Sequence, residues 1–397
     1  MWLINSSVGR KFVMAITGVC LVLFVTFHVL MNAVALCWPA AYNSVCEFLG
    51  ANWYALIASM GLALLFIIHI IYAVWLTFQN RAARGTDRYA VNAIQPQVEW
   101  SSKNMLVLGI VILAFLVVHL VNFWYKMQYQ ELMHHELSVL PQLDGVAVQP
   151  ALGTLFLQMA FSTVWVPIVY IIGFIALWFH LNHGFWSMFQ TIGWNNATWL
   201  PRLKCIAKWW TSIVVALFVA QAIVFTVQAH KNYYLTAPEL QEQYAESWYA
   251  QAEKAFGDFQ GKIEQAFAKY KNLDPSKMSM QEQMKAQEEM QKIQETLVTG
   301  PDAKKFVETM NAIEAGLAKQ CPDVNTQENQ QYMQANQMKM QIESMMKQYE
   351  TPLSAIQAAT PGAQPRQQEI SEEDMQRAIE AAQQQAQTEQ NQEPNNQ

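Results

Sequence analysis

Charge is what this chain has least of. Only 14 % of its 397 residues are Asp, Glu, Lys or Arg, against roughly 25 % in a soluble domain. The deficit lies in the first 230 residues, and acids are missing altogether from the longest apolar runs there. That excludes a relay of carboxylates at membrane depth. Glycine-rich loops of the GxGxxG or GxxxxGK type are absent, so no flavin or nucleotide site is visible. The five cysteines, Cys20, Cys37, Cys46, Cys205 and Cys321, form no CxxC pair, which leaves no iron–sulfur or zinc spacing. A net charge of −6 offers no footprint for nucleic acid. Redox or catalytic work outside a membrane therefore belongs to other chains.

Long hydrophobic runs, by contrast, recur. They cover about 12–36, 53–78, 104–125, 155–189 and 205–227, each enough to cross the roughly 30 Å of hydrocarbon that takes about 20 residues. The sequence thus predicts an all-α membrane protein built on a five-helix bundle over residues 1–230. Arg10-Lys11 and Ala33-Val34-Ala35 imitate the ends of a signal peptide, but the first run is too long for a signal core and contains His28, so it reads as a retained anchor. Pro167 is expected to kink the fourth run. Basic residues alternate between loops. Arg10, Lys11, Arg81, Arg84, Arg88, Lys103, Arg202 and Lys204 lie on one side, while 37–52 and 128–154 contain no Lys or Arg. The positive-inside rule then puts the amino terminus in the cytoplasm and the chain beyond the fifth run outside.

Beyond Lys231 the composition turns to Gln, Glu, Lys and Met. Leu240, Tyr244, Trp248, Phe256, Phe259, Ile263, Phe267 and Tyr270 recur at helical steps, one amphipathic stripe. Asp274-Pro275 and Gly300-Pro301 read as breaks, and further helices are expected over 276–299 and 325–349. Ser371 with Asp374 makes a capping box. The reading is a polar helical extension over 231–383 and a disordered tail over 384–397.

Four of the five runs carry a histidine inside: His28, His69, His119 and His180. An imidazole at membrane depth is costly unless it is used. At about 1.5 Å per residue from the basic boundaries, His28 and His119 lie roughly 24–26 Å up and His69 and His180 roughly 18–20 Å up. Two stacked bis-histidine sites follow, the arrangement with which facing helices hold haem iron. His183, one turn from His180, is the alternative fourth ligand. Gly18 and Gly109 each precede a histidine by ten residues and would let a flat ring approach the backbone. Asn32 and Asn122 follow the same histidines on one face and suit a haem edge, a quinone or simple helix–helix hydrogen bonding. His134, His135 and His230 read as solvated. Cys37 and Cys46 share an outer loop where a disulfide is chemically permitted. Glu47, in that loop, is the best-placed acid for accepting a proton from a quinol.

Over residues 8–230 these features resemble a known family: the five-helix, di-haem cytochrome b subunit of succinate:quinone oxidoreductases and quinol:fumarate reductases. The resemblance rests on Gly18 with His28, His69 before the basic loop, Gly109 with His119, and the run from His180 through Gly184 to Gly193-Trp194. It favours His180 over His183 and pairs His28 with His119 and His69 with His180. It implies two haem b, menaquinone as substrate, and flavoprotein and iron–sulfur subunits on the cytoplasmic face of a bacterial inner membrane. This chain would be their lipid-embedded anchor and electron carrier, with no flavin chemistry of its own. The extension lies beyond the resemblance and suits bracing a dimer of the complex. Two rival readings stay open: the cytochrome b of a quinone-linked hydrogenase or formate dehydrogenase, and a histidine-using transporter.

Overall fold

A computed structural model describes residues 6–84, 99–133, 137–271 and 278–357. Arg88, His134, His135, Asp274-Pro275, the Ser371 capping box and the tail from 384 lie outside the described residues. Residues up to 343 form one unit; those from 344 belong to a second.

Five helices among the described residues are long and apolar enough to cross a membrane. The first, α1 (Ser7–Cys37), opens on the Ser6 side chain, which accepts a hydrogen bond from Gly9 N at 2.9 Å. It stops because Pro39 keeps the preceding Trp38 out of the helical conformation, φ −143° and ψ 81°. Pro39 then starts α2 (Pro39–Ala51), and α3 (Trp53–Arg84) returns. The next span, α4 (Trp100–His119), runs into a π turn over Leu120–Trp124. After the short α5 (Gln128–Met133), β1 (Gln142–Leu143) and β2 (Val146–Ala147) form a hairpin. Its turn residues Asp144 and Gly145 both have positive φ, 52° and 79°, as a tight hairpin requires.

The fourth run departs from expectation. Instead of one kinked helix there are two: α6 (Gly153–Phe161), nearly all buried, and α7 (Trp165–Gln190). Pro167 is the third residue of α7, where a missing N–H costs nothing, so it begins the span rather than bending it. Asn196 caps α8 (Trp199–His230) by accepting from Thr198 N and Trp199 N. Asn232, left-handed at φ 53°, turns the chain out of it.

Within the bundle α7 packs against α8, α4 and α1, and α1 against α3 and α8. Exposed aromatics mark both ends: Trp100, Trp194 and Trp199 at the end where α1 begins, the proximal end, and Trp38, Trp53 and Tyr54 at the other, distal end. Trp rings prefer the membrane–water boundary for their mixed character.

The extension is a folded cap on the distal end. It comprises α9 (Tyr233–Thr236), α10 (Pro238–Phe267), α11 (Met280–Thr299), α12 (Pro301–Gln320) and the part of α13 (Gln330–Gln357) up to residue 343. Trp248, Tyr234, Tyr244, Leu240, Met310 and Ile313 are its fully buried centre. Trp248 Nε1 donates to Gln320 Oε1 at 3.0 Å, and Gln320 Nε2 to the Ala147 carbonyl of the hairpin at 3.1 Å. Thr154 joins cap to bundle. Its backbone N–H donates to Asn43 Oδ1 at 2.9 Å, and its hydroxyl lies 2.7 Å from the Tyr244 hydroxyl.

Candidate functional site

The bundle brings the four histidines together two by two. His28 on α1 and His119 on α4 have ring centroids 5.7 Å apart, and His69 on α3 and His180 on α7 are 6.3 Å apart. A metal–imidazole bond of about 2.0–2.1 Å, plus about 1 Å from nitrogen to ring centre, puts two rings on opposite sides of one metal about 6 Å apart. Both separations lie near that value. Each pair offers two ligands, and among the described residues no three His, Cys, Asp or Glu side chains gather around one point.

The pairs differ in level. Thr17 Oγ1 touches His69 Nδ1 at 3.1 Å, and Thr17 precedes His28 by eleven residues of the same helix. The pairs are therefore stacked about 16 Å apart along the bundle. Beside the distal pair stands an aromatic cluster of Phe115, Tyr170, Phe174 and Phe218, with Tyr170 Oη 3.4 Å from His119 Nδ1. Gly173 admits the Phe115 ring against α7; any Cβ there would collide with it.

His183 stands apart from both pairs. Its Nδ1 lies 3.1 Å from Glu99 Oε2, and Lys204 Nζ is 2.9 Å from Glu99 Oε1 and 4.3 Å above the Trp186 ring. Burial alone raises the Glu99 carboxyl. Hydrogen bonds and charge from Lys204 and His183 outweigh it and hold the group below the usual carboxylate range. This proximal cluster is the feature the sequence reading missed. Glu99 stands one residue before the span, and an acid at a boundary otherwise lined with Lys and Arg was its signal.

The remaining candidates are dispersed. Glu47 is exposed on α2. Cys37 and Cys46 are both free thiols. Cys46 packs against Tyr42, and burial pushes its thiol up to about 12 against hydrogen bonds from Tyr42 and the Gly153 backbone. Asn32 Nδ2 donates to its own helix at His28 O, 2.8 Å, while Asn32 Oδ1 accepts from the Tyr42 hydroxyl. Asn122 falls in the π turn, beside Tyr170. His230 donates from Nδ1 to the Thr226 carbonyl at an exposed position.

The residues present fit haem. Nδ1 of His180 is buried with no hydrogen-bond partner. Half-buried Gly18, Gly109 and Gly184 would each meet no atom within 4 Å if given a Cβ. Gly18 adjoins the Thr17 that touches His69, so this room opens at the level of the proximal pair.

No family model, curated protein or solved structure matches the chain.

Proposed function

We propose that the chain is a membrane cytochrome b that holds two haems between four of its helices, His28 with His119 and His69 with His180. More particularly, it is the anchor and electron-transfer subunit of a succinate:quinone oxidoreductase or quinol:fumarate reductase. The single observation that carries the class is the pairing itself: two imidazole pairs, 5.7 and 6.3 Å between centroids, stacked in one bundle. The step from class to complex rests on the sequence resemblance.

Haem supplies one-electron transfer when bound. The chain's own part is to hold each iron from two sides, keep water away with apolar spans, and space the two sites for rapid transfer. The proximal pair, His69 and His180, serves the haem nearer an iron–sulfur subunit docked on the cytoplasmic face. The distal pair serves the outer one. A flavoprotein interconverts succinate and fumarate, and menaquinone exchanges electrons with the chain in the lipid. The amino terminus is cytoplasmic and the cap periplasmic, in a bacterial inner membrane.

The test is to purify the tagged full-length chain from its native membrane. Flavoprotein and iron–sulfur subunits with succinate:quinone-analogue reductase activity should come with it. Copurification of a hydrogenase or formate dehydrogenase instead would overturn the particular assignment and leave the class standing.

A further inference from the structure

Thr17 is 2 % exposed, where α1 meets α3. Its Oγ1 lies 3.0 Å from the carbonyl oxygens of both Val13 and Met14, and 3.1 Å from His69 Nδ1. A hydroxyl has one proton to give and two lone pairs to receive with. A threonine inside a helix places that proton on a carbonyl one turn back, so the oxygen faces His69 as an acceptor. The imidazole must then carry its own proton on Nδ1, leaving the lone pair on Nε2.

We propose that Thr17 is a positioning residue: it fixes His69 as the Nδ1–H tautomer and aims Nε2 into the space shared with His180. The inference rests on the haem reading above and deepens it at one site. Imidazoles that hold metals ordinarily give their second N–H to an outer partner, which sets ring orientation and makes the ligating nitrogen more basic. His69 has that partner in Thr17. At the distal pair the corresponding contacts are longer: 3.4 Å from Tyr170 Oη to His119 Nδ1, and 3.4 Å from Asn32 Nδ2 to either ring nitrogen of His28. Of the four imidazoles, His69 is thus the one held by a short side-chain hydrogen bond. A more basic ligand favours the ferric state, so this bond lowers the midpoint potential of the proximal haem.

The test compares the purified complex carrying Thr17→Val, Thr17→Ser or Thr26→Val with the unaltered one. Thr26, half-buried, bonds its own helix at Val22 O, 2.8 Å, and controls for loss of a helix-bonded hydroxyl on α1. Redox titration and low-temperature EPR of the ferric haems are the readouts. Thr17→Val should shift one haem upward in potential, or lose that haem, and alter its low-spin signal while leaving the other unchanged. Thr17→Ser should restore both measures and Thr26→Val should change neither. Thr17→Val with two haems of unaltered potential and spectrum would overturn the proposal, as would failure of Thr17→Ser to rescue. An unaltered complex without haem would instead overturn the reading on which it rests. Nitrogen-15 shifts of labelled His69 would then still report which ring nitrogen carries the proton.

Discussion

At the scale of single residues the four imidazoles differ from the other described histidines, His183 and His230, in facing one another across the bundle in pairs. His183 spends its Nδ1 on Glu99, and His230 spends its own on a backbone carbonyl. Replacing His28 or His119 with Ala should remove one haem and leave the other, and His69→Ala or His180→Ala the converse; His183→Ala should keep both. Difference spectra of the purified variants check this. Glu99 makes a prediction in pH. Its carboxyl lies low in the folded protein, so its contribution is present above the ordinary carboxylate value and is lost as pH falls through the lower folded one. Thermal stability in detergent should therefore fall below about pH 4, and Glu99→Gln should flatten that acid limb. The group is a third exposed, so the Lys204 pair contributes no more than about 1 kcal/mol. The pairing of the four histidines was legible in sequence because a polar ring in an apolar run has few explanations. Thr17 was not legible, because a buried threonine in a span has many.

At the scale of elements, composition placed the five spans and periodicity placed α10. What it could not separate was α6 from α7. Both segments are apolar, and the interruption at Ser162 and Thr163 carries no glycine or proline to announce it. The π turn after His119 was equally hidden, since an extra residue per turn leaves no mark in hydropathy. The contact between α4 and α7 hangs on Gly173, whose Cα faces the Phe115 ring. Gly173→Ala should destabilise the bundle by about 1–3 kcal/mol, the usual cost of overpacking, and loosen the distal haem first. The seam to the cap turns on Asn43, which accepts from the Thr154 backbone and donates to Gln243 Oε1 at 3.0 Å. Asn43→Ala strands a buried N–H at Thr154 and should cost about 1–3 kcal/mol. Thermal denaturation in detergent, followed by haem absorbance and by intrinsic fluorescence, measures both.

At the scale of the whole molecule, a lipid-facing bundle and a folded polar cap share one unit up to residue 343. In the cap, α10 was readable from its stripe and α11 and α13 in outline, but α12 was not, and neither was the docking of these helices. It depends on pairings such as Trp248 with Gln320, 72 residues apart, and Thr154 with Tyr244, 90 residues apart, which no local pattern encodes. The basic loops predict that this cap faces the periplasm. A carboxyl-terminal alkaline phosphatase fusion should be active and a green fluorescent protein fusion dark; the reverse would invert the bundle. The most direct test of the central claim is the number of haems per chain, from the pyridine haemochrome and quantified protein of the purified complex. Two b-type haems per chain are predicted. One would mean that a pair lacks its iron, and none would contradict the account.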